Sequence, residues 1–330
     1  MAFQTLHTMS SPHLSHSFLK LASIRPGSRA LRKRVTRVGS ALLAFSLSLG
    51  MALPTLAADP FRSSSSHEIG EHTEAAFEAI FKEGDYVSAR EALVQAEETE
   101  PDEPLVHAML ASMAYLEGDA GLPEVKARAE LTTEKAKALV DSDPLRGHLY
   151  TAVGIFLEGA YVLKTEGIAK GTPRALAMLQ RVFSELDDAE SIAPNDPELN
   201  LLKGYMDLML AVNLPFSNPE EAIERMSSYG SPTYLTQRGI AIGYRDLEQY
   251  DDAMSAVDQA LSAAPDNPEL LYLKAQISNR LGNQAESAAL FEEALTYSEQ
   301  LPEGLVKRIT WEGCVVEGTP HQECSELVGY

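Results

Sequence analysis

Cys314 and Cys324 are the only cysteines of this 330-residue chain, and His321 stands between them beside Glu317-Gly318-Thr319-Pro320. Two thiols and one imidazole fall short of the four ligands that a tetrahedral metal site takes. In an oxidising compartment the simplest outcome for the pair is a disulfide, whose small ring contributes roughly 3 kcal/mol on the loop-closure account. His67, His72, His107 and His148 are scattered without a common spacing. There is no glycine-rich phosphate loop, no His-Glu-x-x-His and no Gly-x-Ser-x-Gly. The sequence therefore predicts no catalytic residue, no metal and no cofactor, and directs attention to surfaces that could hold a partner.

Charge narrows the partner. The formal net charge is -21, yet residues 1–58 carry seven basic side chains, Lys20 to Arg37, and no acid. The remainder has 20 basic against 48 acidic residues, a net charge of -28. Such a field repels phosphates, which argues against nucleic acid and anionic lipid. The first 58 residues place a basic segment (Arg25–Arg37) before an apolar run (Ala41–Leu53), followed by Pro54 and Thr55-Leu56-Ala57-Ala58. This is the order of a secretory signal, with cleavage expected after Ala57 or Ala58. The apolar run of roughly 13 residues is shorter than the roughly 20 that a membrane span needs, so a removed leader is expected rather than an anchor. The segment before Arg25 is long, as an early start site or a two-part plastid and lumen signal would make it. Periplasm or thylakoid lumen is the expected location.

The elements that would present a holding surface are helices. From Glu68 onward, apolar residues recur at helical spacing, broken by Gly-Asp or Asn-Pro punctuation. Ala193-Pro194-Asn195-Asp196-Pro197-Glu198-Leu199-Asn200-Leu201-Leu202-Lys203-Gly204 reappears 71 residues later, from Ala264 to Ala275, with seven of twelve positions identical. That offset is near two periods of about 34 residues. Tyr250, Ala253, Val257, Ala260 and Pro265 share their spacing with Tyr86, Ala89, Leu93, Ala96 and Pro101, and Phe291 and Ala294 continue it. Small Ala residues let two antiparallel helices cross closely, a larger neighbour fills the groove, and Pro ends the second helix.

These positions resemble the tetratricopeptide-repeat superfamily over roughly residues 70–300. Leader plus acidic repeats also resemble a group of exported cyanobacterial repeat proteins. The resemblance implies an all-α, TPR-like αα superhelix, a solenoid of about six antiparallel helix pairs, followed by a short C-terminal cap. The expected division is a leader at 1–58, a linker at 59–67, repeats at 68–300 and a capping tail with the cysteine pair at 301–330. The pairs are expected at about 68–103, 104–143, 144–196, 197–231, 232–267 and 268–300. The third has an unusually apolar first helix, His148–Lys164, read as a buried central helix, and then a loop from Glu166 to Pro173. A second insertion, Asn213–Pro219, divides the fourth pair. Trp311, the only tryptophan, is expected to seal the last repeat.

The resemblance further implies a concave face, lined by first helices, that binds a protein or peptide. Its exposed positions would be Leu201, Tyr205 and Met209, then Arg238, Ile242 and Arg245, then Tyr272, Gln276, Asn279 and Arg280. Arg238, Arg245 and Arg280 on one face could take an acidic or carboxylate-ended segment through paired hydrogen bonds. Against this stands their pairing with Asp246, Glu248 or Glu286 inside the stack. The Lys and Asn pattern of the chaperone-binding carboxylate clamp is not present. The expected function is a non-enzymatic extracytoplasmic scaffold or assembly adaptor. A periplasmic solute-binding protein enclosing a small apolar ligand is the alternative, and the apolar ends of an open stack also allow self-association.

Overall fold

The computed structural model describes residues 59–63, 67–213 and 218–329. The expected leader, and Leu214–Ser217 of the expected insertion, lie outside the described residues. Among the described residues there are fourteen α-helices and no strand. The first pair is α1 (Glu71–Glu78), widened at its end by a π turn (Ala79–Glu83), and α2 (Tyr86–Thr99). The next three are α3 (Pro104–Leu116) with α4 (Leu122–Leu139), α5 (Pro144–Glu166) with α6 (Ile168–Ile192), and α7 (Pro197–Asn213) with α8 (Pro219–Tyr229). After them come α9 (Thr233–Asp246) with α10 (Tyr250–Ala263) and α11 (Pro268–Arg280) with α12 (Gln284–Leu295). A last hairpin, α13 (Glu303–Val316) with α14 (His321–Val328), follows the six expected pairs.

Local chemistry sets these boundaries. Proline opens α3, α5, α8 and α11, where its missing N–H would have had no partner, and Glu103, Asp143, Asn218 and Asn267 cap those helices with side-chain oxygens. Asp196 does the same for α7 by accepting from the Leu199 N–H at 2.9 Å. The turns at Gly84, Gly118 and Gly282 have φ of 69, 69 and 84°, which only a residue without Cβ adopts cheaply. The repeat positions are buried as their spacing demands: Ala89, Leu93, Ala96, Ala253, Val257, Ala260 and Ala294 are fully enclosed. Gly147 lies against Val140, and Gly154 against Thr133 and Ala129, so α4 and α5 run antiparallel at close approach.

The third pair is longer and tighter than the sequence suggests. The expected loop from Glu166 to Pro173 is a reversal at Gly167 alone (φ 75°), and α6 already runs from Ile168 with Pro173 inside it. Because one glycine turns the chain, Gly171 sits against Val162 and Leu163 of α5 instead of projecting as a loop. Leu149, Ala152, Ile155 and Val162 of α5 join Val182, Leu186, Leu199 and Met206 in a second apolar core beside the main one. No helix among the described residues is long and apolar enough to cross a membrane.

The first pair packs against the sixth. Asn267, at the head of α11, donates through its amide to the Phe81 and Lys82 carbonyls at 3.2 and 3.1 Å, and Gln300 donates to the Glu83 carbonyl at 3.4 Å. Both partners lie more than 180 residues away in sequence, so the face of the first pair expected to stand open is covered by the chain's own later repeats.

His107, on α3, gives the body a pH response. Burial presses its imidazole below the usual histidine range, with Arg128 and Lys135 acting in the same direction and the Pro101 carbonyl and Glu97 opposing. Below a pH of about 6.5 the unfolded chain takes up a proton that the folded chain resists. This contribution is therefore intact above that pH and is lost as pH falls toward the folded value. Melting temperatures should fall as pH drops below about 6.5, and His107→Leu should flatten that fall. An unchanged slope in the variant would remove His107 as the cause.

Candidate interaction surface

The positions expected to face an open groove fall into two groups. Leu201, Arg238 and Tyr272 are 2, 4 and 3% exposed, so they are interior residues and not groove-lining ones. Tyr205 donates its hydroxyl to the Leu235 carbonyl at 2.8 Å, and Ile242 packs on the main core. Met209 is half-buried, while Asn279 and Arg280 are exposed at the end of α11. Arg238 is enclosed where the first pair packs on the sixth, whereas Tyr272 is enclosed between Phe291 of α12 and Glu312 of the last hairpin.

The three arginines expected on one face are separated by this packing. Arg238 ion-pairs with Glu269 on α11 at 2.5 Å, and the same carboxylate accepts from the Tyr86 hydroxyl at 2.8 Å, so one buried group ties the first, fifth and sixth pairs. Arg245 pairs with Asp246 at 2.9 Å and donates to Gln276 at 2.7 Å. Gln276 and the Tyr272 hydroxyl in turn donate to Glu312 of the last hairpin at 2.7 and 2.6 Å. Arg280 remains exposed. Arg245, Tyr272 and Gln276 thus converge, but on a carboxylate of the tail. That tail is closed by the Cys314–Cys324 disulfide and carries Trp311 against His321 and the Ser325 hydroxyl.

A different constellation forms where the first helices begin, and its centre is a residue of the expected linker. Arg62 is 8% exposed and meets three carboxylates: Asp196 through Nε and Nη2 at 2.6 and 2.8 Å, Glu198 at 3.0 Å and Asp59 at 2.9 Å. Glu198 is fully enclosed and also accepts from the Tyr150 hydroxyl. Phe61, 5% exposed, sits edge-on to Phe77 of α1 with ring centroids 4.9 Å apart. From there the chain follows the same edge. His67 pairs with Asp143 at the head of α5, and the His72 and Thr73 N–H groups reach Glu100 just before α3, at 3.0 and 2.9 Å. Residues 59–63 lie at the head of α7, and residues 67–73 lie at the heads of α5 and α3.

Burial pushes the Glu198 carboxyl above the usual range, against the opposing charges of Arg62 and Arg146. For Asp59 burial also pushes upward, but the His67 N–H and the Arg62 guanidinium prevail and hold it low. Beside them lies a cleft of about 540 Å³ whose walls include Glu68, Glu100, Asp102, Glu103 and Asp143, with Arg146 as its cation. Arg146 lies over the Tyr150 ring and makes two bonds to Glu103, at 3.1 and 2.6 Å.

The sequence contains a sign of this arrangement that spacing alone did not decode. Glu198 and Glu269 are equivalent in the 71-residue repeat, each second in a helix opened by proline. Each is enclosed and receives one arginine and one tyrosine hydroxyl. For Glu269 the arginine comes from the neighbouring helix α9, whereas for Glu198 it comes from the N-terminal segment. His148 also proves less isolated than its spacing indicates, since it bonds Glu185 at 2.8 Å with Asp188 nearby, a partly exposed group of ordinary surface character.

Residues 239–303, from α9 through α12, match the family profile described as tetratricopeptide repeat. The matched stretch has the antiparallel helix pairs that such repeats form. The chain is also similar to the TPR repeat-containing protein YpiA of Bacillus subtilis (strain 168), at 24% identity over 225 residues. The similarity covers 63% of this chain and 51% of that protein, so the chain spans about half the length of this curated relative. Among solved structures it is similar to a tetratricopeptide repeat protein from Parabacteroides merdae, with 16% identity, a TM-score of 0.43, and coverage of 78% of this chain and 89% of that one. A thermophilic TPR protein of Thermus thermophilus gives 18% identity, a TM-score of 0.30 and coverage of 74 and 97%. In tetratricopeptide repeats the Ala and aromatic positions found here at the helix crossings are the architecture itself. They specify how helices stack and leave the choice of partner to other residues.

Proposed function

We propose that this chain is a non-enzymatic, extracytoplasmic scaffold or assembly adaptor whose tetratricopeptide-type stack holds a segment of another protein. One observation carries the reading: the stack already holds a short non-helical turn of polypeptide, residues 59–63, by enclosing Phe61 and Arg62 in seats contributed by α1 and the head of α7. Proteins that bind peptides use this combination of an aromatic anchor and a paired charge. The basic, apolar and small-residue order of the first 58 residues supports a place outside the cytosol. The surface offered lies along the heads of the first helices and not on the interior positions Leu201, Arg238 and Tyr272. An apolar solute is a poorer fit, because the apolar side chains of α5 are spent in the second core and the neighbouring cleft is walled by carboxylates. Affinity purification of the tagged chain from native extract should yield a protein in stoichiometric amount. Recovery of a bound small molecule with no protein would replace this reading with the solute-binding one.

A further inference from the structure

Two of the three carboxylates that hold Arg62 come from far along the chain, and only Asp59 is a near neighbour. Asp196 and Glu198 lie 134 and 136 residues away, and each has its own structural duty there: Asp196 caps α7, and Glu198 accepts from Tyr150. Together they offer a planar guanidinium two carboxylates side by side, and Phe77 offers an aromatic wall to the residue before it. A lysine would satisfy this geometry poorly, because its single ammonium cannot reach both acids in the plane. The equivalent carboxylate, Glu269, has its arginine supplied from a packed helix, so the repeat folds without any visiting segment there. At Glu198 the arginine arrives on a short turn outside the helices, closed by the Arg62 N–H on the Asp59 carbonyl. Beyond it the same edge continues as the carboxylate-walled cleft.

We propose that Asp196, Glu198 and Phe77 form a recognition site for an aromatic residue followed by arginine in a short turn of a basic segment of a partner protein, and that Asp59–Ser63 of this chain, itself such a turn, is its resident occupant. The proposal rests on the scaffold reading and names the partner's chemistry. Exchange of one arginine for another returns every buried charge to a partner, so displacement leaves no carboxylate stranded. The tethered occupant competes at an effective concentration of the order of millimolar. A successful partner must add contacts, and the acidic walls of the adjoining cleft, most of whose carboxylates already pair within the chain, still favour a basic flank through their net charge.

The probe is a fluorescent peptide with this chain's own residues 59–64, Asp-Pro-Phe-Arg-Ser-Ser, titrated into the full chain. With the resident side chains removed by Arg62→Ala, combined throughout with Phe61→Ala to clear the seat on Phe77, the peptide should bind at least about tenfold more tightly than to the unsubstituted chain. A peptide with alanine in place of its arginine should not bind, and Asp196→Asn with Glu198→Gln in the Arg62→Ala chain should abolish binding. Circular dichroism reports whether each variant is folded. Should Arg62→Ala melt below the assay temperature, Arg62→Lys serves instead, since it weakens the resident contact while keeping a charge in place. Equal binding of the two peptides, or no binding to a folded variant, overturns the proposal. So does a dimer seen by light scattering that Arg62→Ala dissolves, since the occupant would then be a second copy. If the peptide fails while a protein still co-purifies, only this inference falls. If the peptide binds as described and no protein co-purifies, the site stands and the scaffold reading falls.

Discussion

Glu269→Ala lowers the stability of the folded chain by about 3–5 kcal/mol, because it takes the Glu269 carboxylate away from the charged and enclosed Arg238 guanidinium. Burial opposes the charged form of Arg238, and Glu269 is the main group that sustains it. The same substitution removes the acceptor of the Tyr86 hydroxyl. The loss is cooperative in space, since this carboxylate joins α2, α9 and α11, and its removal loosens the contact between the first and sixth pairs. Thermal melting followed by circular dichroism measures it. The double variant Arg238→Met with Glu269→Leu, which replaces the ion pair by apolar groups of similar size, should recover most of the loss. If Glu269→Ala and the double variant melted at the same temperature, the charge left behind would not be the cause.

Gly154→Val is the second large effect, a loss of about 3 kcal/mol through overpacking. A Cβ at this position would lie 2.8 Å from the Thr133 nitrogen and 3.0 Å from the Ala129 carbonyl oxygen, both backbone atoms of α4 that cannot swing aside. The two helices would have to separate, and α5 is the central element of the second apolar core. Gly204→Ala is the useful contrast. Its Cβ would meet chiefly the thioether of Met226, an unbranched side chain that can change rotamer, so its effect should be much smaller. Equal losses in the two variants would show that backbone contact at Gly154 is not what limits the approach of α4 and α5. Hydrogen exchange on α4 and α5 should also localise the Gly154→Val effect there, with α10 and α12 unaffected.

The helices were legible because their determinants are local. Ala89, Leu93 and Ala96 repeat at the spacing of one helix face, Pro104 and Pro268 start helices behind capping side chains, and Gly84 and Gly282 end them. Each of these acts over a few residues, so the six expected pairs coincide with helices α1 to α12. The tail reads in the same way: Cys314 and Cys324 are close enough in sequence to find each other, and they are joined. The loop expected from Glu166 to Pro173 is the local exception, because Gly167 alone turns the chain and the helix runs on through Gly171 and Pro173.

The surface is another matter. Sequence placed Arg238, Arg245 and Arg280 on the same side of successive first helices, and an open stack would have shown them together. Tertiary structure instead brought the turn at Phe81–Glu83 onto the head of α11, enclosed Arg238 and left Arg280 outside. It also carried Arg62, in a stretch with no helical periodicity to mark it, to Asp196 and Glu198. A helix is specified by bonds between residues four apart, and those are written in order along the chain. Which carboxylate receives which arginine depends on small rotations between pairs that accumulate over the whole stack, and only the packed molecule sums them.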